Sequence, residues 1–227
     1  MDLEALKKRA AEAAVARVRS GMRLGLGTGS TARWAVELVG ARLAAGELEE
    51  VVGVPTSRAT EALMRRVGIP VVELDGRGVD LAIDGADEVA PDLTLIKGHG
   101  GALLREKIVE VAAQRFIVIA DYTKRVRVIG EKKEIPVEVA RFGWKSTLRQ
   151  IEKLGSAPQL RSNDHGETIL SDNGNFLVDA RFGPVEDPAA LERRLLQIPG
   201  VLEVGLFNGL AHLAIIAERD GRLEEIR

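Results

Sequence analysis

Between Met22 and Asp121 short apolar runs alternate with helix-patterned stretches, and this alternation constrains the fold more than any other feature of the chain. MRLGLG precedes TARWAVELVGARLA, VVGVP precedes ATEALMRRVG, and IPVVEL, VDLAIDGADEV, LTLIKG, ALLREKIVEVAAQ and RFIVIAD continue the rhythm. Repeated βα units predict an α/β fold, a Rossmann-like, mostly parallel sheet with helices on both faces. Ligands of such sheets sit in the loops at the carboxyl ends of strands, so the chemistry is sought there. Ahead of the sheet, Leu3, Leu6, Ala10, Ala13, Ala14 and Val18 recur at helical spacing and Ser20-Gly21 supplies a stop, which predicts an amphipathic helix.

The pattern changes near Val128. A charged stretch with a proline, IGEKKEIPVEVA, leads to a helix (WKSTLRQIEKLG), polar strands around Ser171-Asp172-Asn173-Gly174, and a second helix (PAALERRLLQI). This predicts a smaller α+β, ferredoxin-like domain over 130–204. VLEVGLF and LAHLAIIAE read as buried strands, the second returning to the first sheet, so the larger domain takes 1–129 and 205–227.

Composition narrows the function classes. At 227 residues the chain can bury on the order of 70% of its unfolded surface and needs no staple. Its 32 basic and 34 acidic residues give a net charge of −2 with no basic stripe, so neither nucleic acid nor an anionic membrane is an expected partner. The absence of cysteine excludes disulfides, thiol nucleophiles and Cys-ligated zinc. No apolar run reaches the roughly 18 residues of a membrane span, and the charged opening MDLEALKKRAAEAAVARV is unlike a signal peptide. A cytoplasmic location is the expectation.

Four loops could carry chemistry. Gly27-Thr28-Gly29-Ser30-Thr31-Ala32, between a strand and a helix, offers backbone amides and hydroxyls to an anion; the alternative is a tight turn capped by Ser30 or Thr31. It also fits the dinucleotide pattern G-x-G-x-x-A, but the next strand ends in Pro55-Thr56-Ser57, without the acid that holds a ribose. Asp84-Gly85-Ala86-Asp87-Glu88 sets three acids at a strand end, suited to sugar hydroxyls or proton transfer, or else forms a turn whose Asp87 or Glu88 caps a helix. His99, His165 and His212 lack metal-ligand spacing. Lys97-Gly98-His99-Gly100-Gly101 puts one cation in an open backbone and leads into a helix carrying Glu106, which taken alone reads as a surface glutamate. Lys124 follows the strand end at Ala120-Asp121. Anion donors, acids and two lysines at successive strand ends describe a site for a small phosphorylated polyol.

These segments resemble the A-type ribose-5-phosphate isomerases. The resemblance rests on GTGSTA at 27–32, DGADE at 84–88, the block from Lys97 to Lys107 and ADYTK ending at Lys124. It extends through SDNGN at 171–175 and IPGVLEVGLF at 198–207, across essentially the whole chain. One departure is His99, where the family usually has glycine. The resemblance implies interconversion of ribose 5-phosphate and ribulose 5-phosphate in the pentose phosphate pathway, without metal or organic cofactor, by a substrate domain with a smaller lid or interface domain, in a homo-oligomer that is a dimer or tetramer. It implies Glu106 as the proton-transfer base. Thr28, Gly29, Ser30, Thr31, Asp84, Gly85, Ala86, Asp87, Lys97, Gly98, His99 and Gly100 are implied as substrate loops, with Lys124 and Lys7 as further contacts.

The chemistry suits those residue types. One partly buried carboxylate can take a proton from C2 and return it to C1 through a cis-enediol. Lys97 and glycine amides can stabilise the enediolate oxygen, while Asp84 and Asp87 orient hydroxyls and assist ring opening. Two competing functions have distinct signatures. A CoA transferase of similar architecture would use a glutamate as nucleophile, and a sugar-phosphate sensor would bind without turnover.

Overall fold

The structure, a computed structural model, describes residues 1–227. In chain order its elements begin with α1 (Leu3–Val15), β1 (Arg23–Leu26), α2 (Ala32–Ala44), β2 (Val52–Pro55), α3 (Arg58–Arg66) and β3 (Val79–Gly85). There follow β4 (Glu88–Val89), β5 (Leu95–Ile96), α4 (Leu103–Val111), β6 (Ala113–Asp121), β7 (Ile135–Val139), α5 (Trp144–Glu152) and β8 (Ala157–Leu160). The chain ends with β9 (Phe176–Arg181), α6 (Pro188–Leu196), β10 (Val201–Val204), β11 (Leu206–Phe207), β12 (Leu213–Ala217) and β13 (Leu223–Ile226).

The chain divides into two compact units, one of residues 1–86, 105–125 and 209–227, the other of 87–104 and 126–208. In the first, six strands form a sheet in the order β13-β12-β6-β3-β1-β2, parallel except for the edge strand β13. β1 and β12 are buried along their whole length, as strands covered on both faces are. Leu24, Leu26, Ile83, Ile117, Ile119 and Ile215 meet Leu6, Ala10 and Ala14 of α1 and Ala35, Val36 and Val39 of α2. On the other face α4 lies close to β1. A Cβ on Gly25 would come within 2.6 Å of Val109 Cγ1, so only glycine allows that approach.

In the second unit β7, α5, β8, β9, α6 and β10 give a βαββαβ sequence with sheet order β10-β7-β9-β8, antiparallel throughout. That is the ferredoxin-like arrangement the sequence predicts. Ile135, Val137, Val139, Val178 and Ala180 pack against Ile151 of α5 and Leu191 and Leu195 of α6. Glu138, fully buried, accepts hydrogen bonds from Ser171 Oγ at 2.7 Å, Asn173 Nδ2 at 3.1 Å and Asn175 Nδ2 at 2.8 Å. The SDNGN motif is thus spent on an internal carboxylate.

Three expectations differ from the structure. LTLI does not continue the parallel sheet. β5 pairs antiparallel with β4 across the short turn at 90–94, and with β11, in a separate three-stranded sheet. A parallel return needs a connection of about a dozen residues, which this segment lacks. IPVVEL makes one bridge, Val71 to Gly53, and no strand. Residues 87–104, 126–129 and 205–208 fall in the smaller compact unit, where the sequence pattern assigns them to the larger. LAHLAIIAE does return, as β12 parallel to β6.

Candidate active site

In the first unit, the β1–α2 loop is anchored by its neighbours. Thr28 N donates to Asp84 Oδ1 at 3.0 Å, and Gly85 N donates to the same oxygen at 2.6 Å. Asp84, at the end of β3, is 1% exposed. A Cβ on Gly27 would lie 2.5 Å from Asp84 Cβ and closer still to its carboxylate, so the first glycine of the motif makes room for Asp84. Thr28 Oγ1 lies 2.7 Å from Thr56 Oγ1, 2.8 Å from Ser57 Oγ and 3.1 Å from Thr60 Oγ1, and Thr60 Oγ1 donates to Gly27 O at 2.8 Å. This hydroxyl cluster was not anticipated. Its signal is Thr56-Ser57, at the strand end where a dinucleotide site would place an acid.

The capping alternative for the same loop does not hold. Thr31 begins α2 without a side-chain cap bond, and Ser30 Oγ accepts from Lys7 Nζ at 3.0 Å. Gly29 is exposed and has φ +109, a conformation that favours glycine. Lys7, on α1, therefore reaches this loop. It also pairs with Glu4 at 2.7 Å, and the Lys7 ammonium holds the Glu4 carboxyl below the usual carboxylate range.

Glu106 sits on α4 three residues before Val109, so the two side chains share one helix face. It is 3% exposed, with Lys107 and Glu110 also buried. A surface glutamate is therefore the wrong description: α4 lies against the sheet, and the periodicity of a helix with charges on every side does not reveal which side is covered. Lys124 lies half-buried in a 3-10 turn (Tyr122–Lys124), whose start is capped by Asp121 accepting from Thr123 N at 3.0 Å.

The second unit holds the remaining sequence-singled residues. Lys97 is 1% exposed, with Nζ 5.5 Å from the centre of the Phe207 ring and its backbone N donating to Gly205 O at 3.0 Å. It is a buried cation, not a solvated loop lysine. Asp87 Oδ2 accepts from His99 N at 3.0 Å, which ties the DGADE segment to the glycine loop. His99 does not have a positive φ, and its Nε2 lies 3.0 Å from Glu134 O, so the backbone there admits a side chain. Gly98 and Gly101, with φ +104 and +82, are the positions that favour glycine.

Glu88 corrects the expectation for the third acid. Fully buried, it accepts from the backbone N of Gly130 at 2.7 Å, Lys132 at 2.6 Å and Lys133 at 2.7 Å, and it opens β4 instead of capping a helix. Its charge is answered by amides of its own chain. No group of three or more His, Asp or Glu side chains is placed to hold a metal ion, and no helix is long and apolar enough to cross a membrane.

The family model for ribose 5-phosphate isomerase A (phosphoriboisomerase A) matches residues 52–221. The chain belongs to this family. Ribose-5-phosphate isomerase A of Deinococcus radiodurans is 51% identical over 227 residues, covering all of both chains. The solved ribose 5-phosphate isomerase of Plasmodium falciparum matches with a TM-score of 0.96 at 35% identity over 99% of each chain. A D-ribose-5-phosphate isomerase solved in complex with phospho-erythronic acid matches over the whole of both chains, with a TM-score of 0.97 at 39% identity. An A-type isomerase fold is therefore present from end to end.

Proposed function

We propose that this chain interconverts ribose 5-phosphate and ribulose 5-phosphate through a cis-enediolate, as an aldose–ketose isomerase of the pentose phosphate pathway. The observation that carries the proposal at the site is the buried Glu106 on α4, a carboxylate placed where an ordinary helix would expose one. Glu106 takes the C2 proton of the open-chain aldose, giving an enediolate, and returns it to C1 to give the ketose. The proton moves and no electrons leave the substrate.

Lys97 and the glycine amides of the loop at Gly98 and Gly100 stabilise the negative charge that develops on the enediolate oxygen, the His99 amide being held by Asp87 Oδ2. Asp84, whose carboxylate is oriented by two backbone amides, and Asp87 hold substrate hydroxyls and assist ring opening, with Gly85 and Ala86 forming the backbone between them. The phosphate is received by Thr28, Gly29, Ser30 and Thr31 at the start of α2, where a helix dipole favours an anion, and by Lys124 and Lys7. This binding energy, remote from the reacting carbons, positions them. The bound phospho-erythronic acid of the related isomerase is a phosphorylated sugar acid, the chemistry such a loop set would recognise.

The proposal needs neither metal nor organic cofactor. It includes a cytoplasmic enzyme that assembles as a homodimer or tetramer. The test is isomerisation carried to equilibrium in D₂O by wild type and Glu106→Gln: repeated passage of the proton over the Glu106 carboxyl brings solvent deuterium into C1 of ribulose 5-phosphate, and deuterium entering as fast with Glu106→Gln as with wild type would contradict the proposal.

A further inference from the structure

The geometry points to Arg161 as a positioning residue for the glycine loop, an inference that rests on the isomerase function and adds a residue to it. Arg161 directly follows β8, where its backbone N donates to Leu177 O at 2.8 Å on β9. Its guanidinium grips Asp179 of β9 with two groups, Nε to Oδ2 at 2.9 Å and Nη2 to Oδ1. The third group, Nη1, donates to two successive carbonyls of the loop, Gly98 O and His99 O, each at 3.1 Å. Only the planar fork of arginine can serve one carboxylate and two carbonyls at once.

The orientation has a chemical consequence. All peptide bonds are trans, so a carbonyl and the amide that follows it point to opposite sides of the chain. With the carbonyls of residues 98 and 99 drawn to Arg161, the N–H groups of His99 and Gly100 turn the other way. The His99 amide does so, donating to Asp87 Oδ2 at 3.0 Å. Gly98, at φ +104, has its carbonyl held twice, by the loop's own turn through Gly101 N at 2.9 Å and by Arg161 from the end of β8, whereas the His99 carbonyl is held by Arg161. Arg161 thus presents the Gly100 amide as a donor and fixes the loop that follows Lys97.

The experiment compares wild type, Arg161→Ala and Arg161→Lys by ribose 5-phosphate kinetics and by amide hydrogen exchange. Arg161→Ala is expected to lower kcat by roughly ten- to a hundredfold, with KM within about threefold, because the loop acts on charge that develops only in the transition state. Exchange should rise at His99 and Gly101, whose amides are bonded to Asp87 and Gly98, while β7 and β9 keep their protection. Millimolar methylguanidinium should restore part of the Arg161→Ala rate, and Arg161→Lys should stay impaired, since an ammonium lacks the fork. A kcat for Arg161→Ala within about twofold of wild type would overturn the inference. So would a loss accompanied by faster exchange throughout β7 and β9 without recovery in methylguanidinium, the mark of a merely structural residue. An inactive wild type would instead overturn the isomerase function, and exchange at His99 and Gly101 would then decide the clamp by itself.

Discussion

Gly27→Ala tests how tightly the phosphate-loop motif is coupled to Asp84. The added methyl would lie 2.5 Å from Asp84 Cβ and nearer still to the carboxylate, whereas ordinary contact begins at 3.4 Å. Asp84 must retreat by about 1 Å or more, because β1 and β3 are fixed to each other by the Gly27 N to Ile83 O bond at 3.0 Å and by the ladder below it. The displacement removes the amide bonds from Thr28 and Gly85. Crowding a packed interior and orphaning buried donors each cost about 1–3 kcal/mol, so stability should fall by about 2–6 kcal/mol and Tm by roughly 4–24 °C. A misplacement of this size in a catalytic group costs on the order of a hundredfold in rate. Thermal unfolding followed by circular dichroism and ribose 5-phosphate kinetics on the folded variant read both effects. Gly76→Ala is the control, since nothing lies within 4 Å of its added methyl and its φ is ordinary. Gly27→Ala with near-normal Tm and kcat would refute the argument that this glycine exists for Asp84.

Two further outcomes follow from the same geometry. Lys124→Ala should raise KM by about ten- to a hundredfold with kcat little changed, because a phosphate contact made equally in ground and transition states is uniform binding; steady-state kinetics with an unchanged KM would remove Lys124 from the site. Asp75 is held at a pKa of about 2, below its ordinary 3.8, chiefly by the side-chain hydrogen bond from Arg77, then by the Arg77 amide and the charge of Arg23. A depressed acid contributes stability above its unfolded value and loses it as pH falls through the folded one, so Asp75→Asn should flatten the pH dependence of Tm between about 4 and 2. Parallel Tm profiles for the two proteins would contradict this.

What could be read from the sequence was local or periodic. The βα rhythm, the return of Leu213–Ala217 to the first sheet and the ferredoxin-like unit rest on hydrophobic spacing and turn residues, and the structure contains them. Asp84 and Lys97 stand out at strand ends, whereas Glu106 is singled out only by the resemblance, since taken alone it reads as a surface glutamate. The features that escaped notice depend on pairing between distant segments. Thr56, Ser57 and Thr60 reach Thr28 only because Leu26 pairs with Pro55, and Arg161 reaches the glycine loop only through the β8–β9 register. Glu88 reads as a site acid in a string of letters, yet it is buried against amides of its own chain. Burial also separates Glu106 from a surface glutamate, and a single helix does not announce which face the sheet will cover.

The central claim is that Glu106 moves the proton. Its most direct test is ribulose 5-phosphate formation from ribose 5-phosphate in EDTA, without added cofactor, by wild type and Glu106→Gln side by side. The account predicts turnover by the first and at least about a hundredfold lower kcat with little change in KM in the second. Near-normal turnover by a folded Glu106→Gln variant would contradict it.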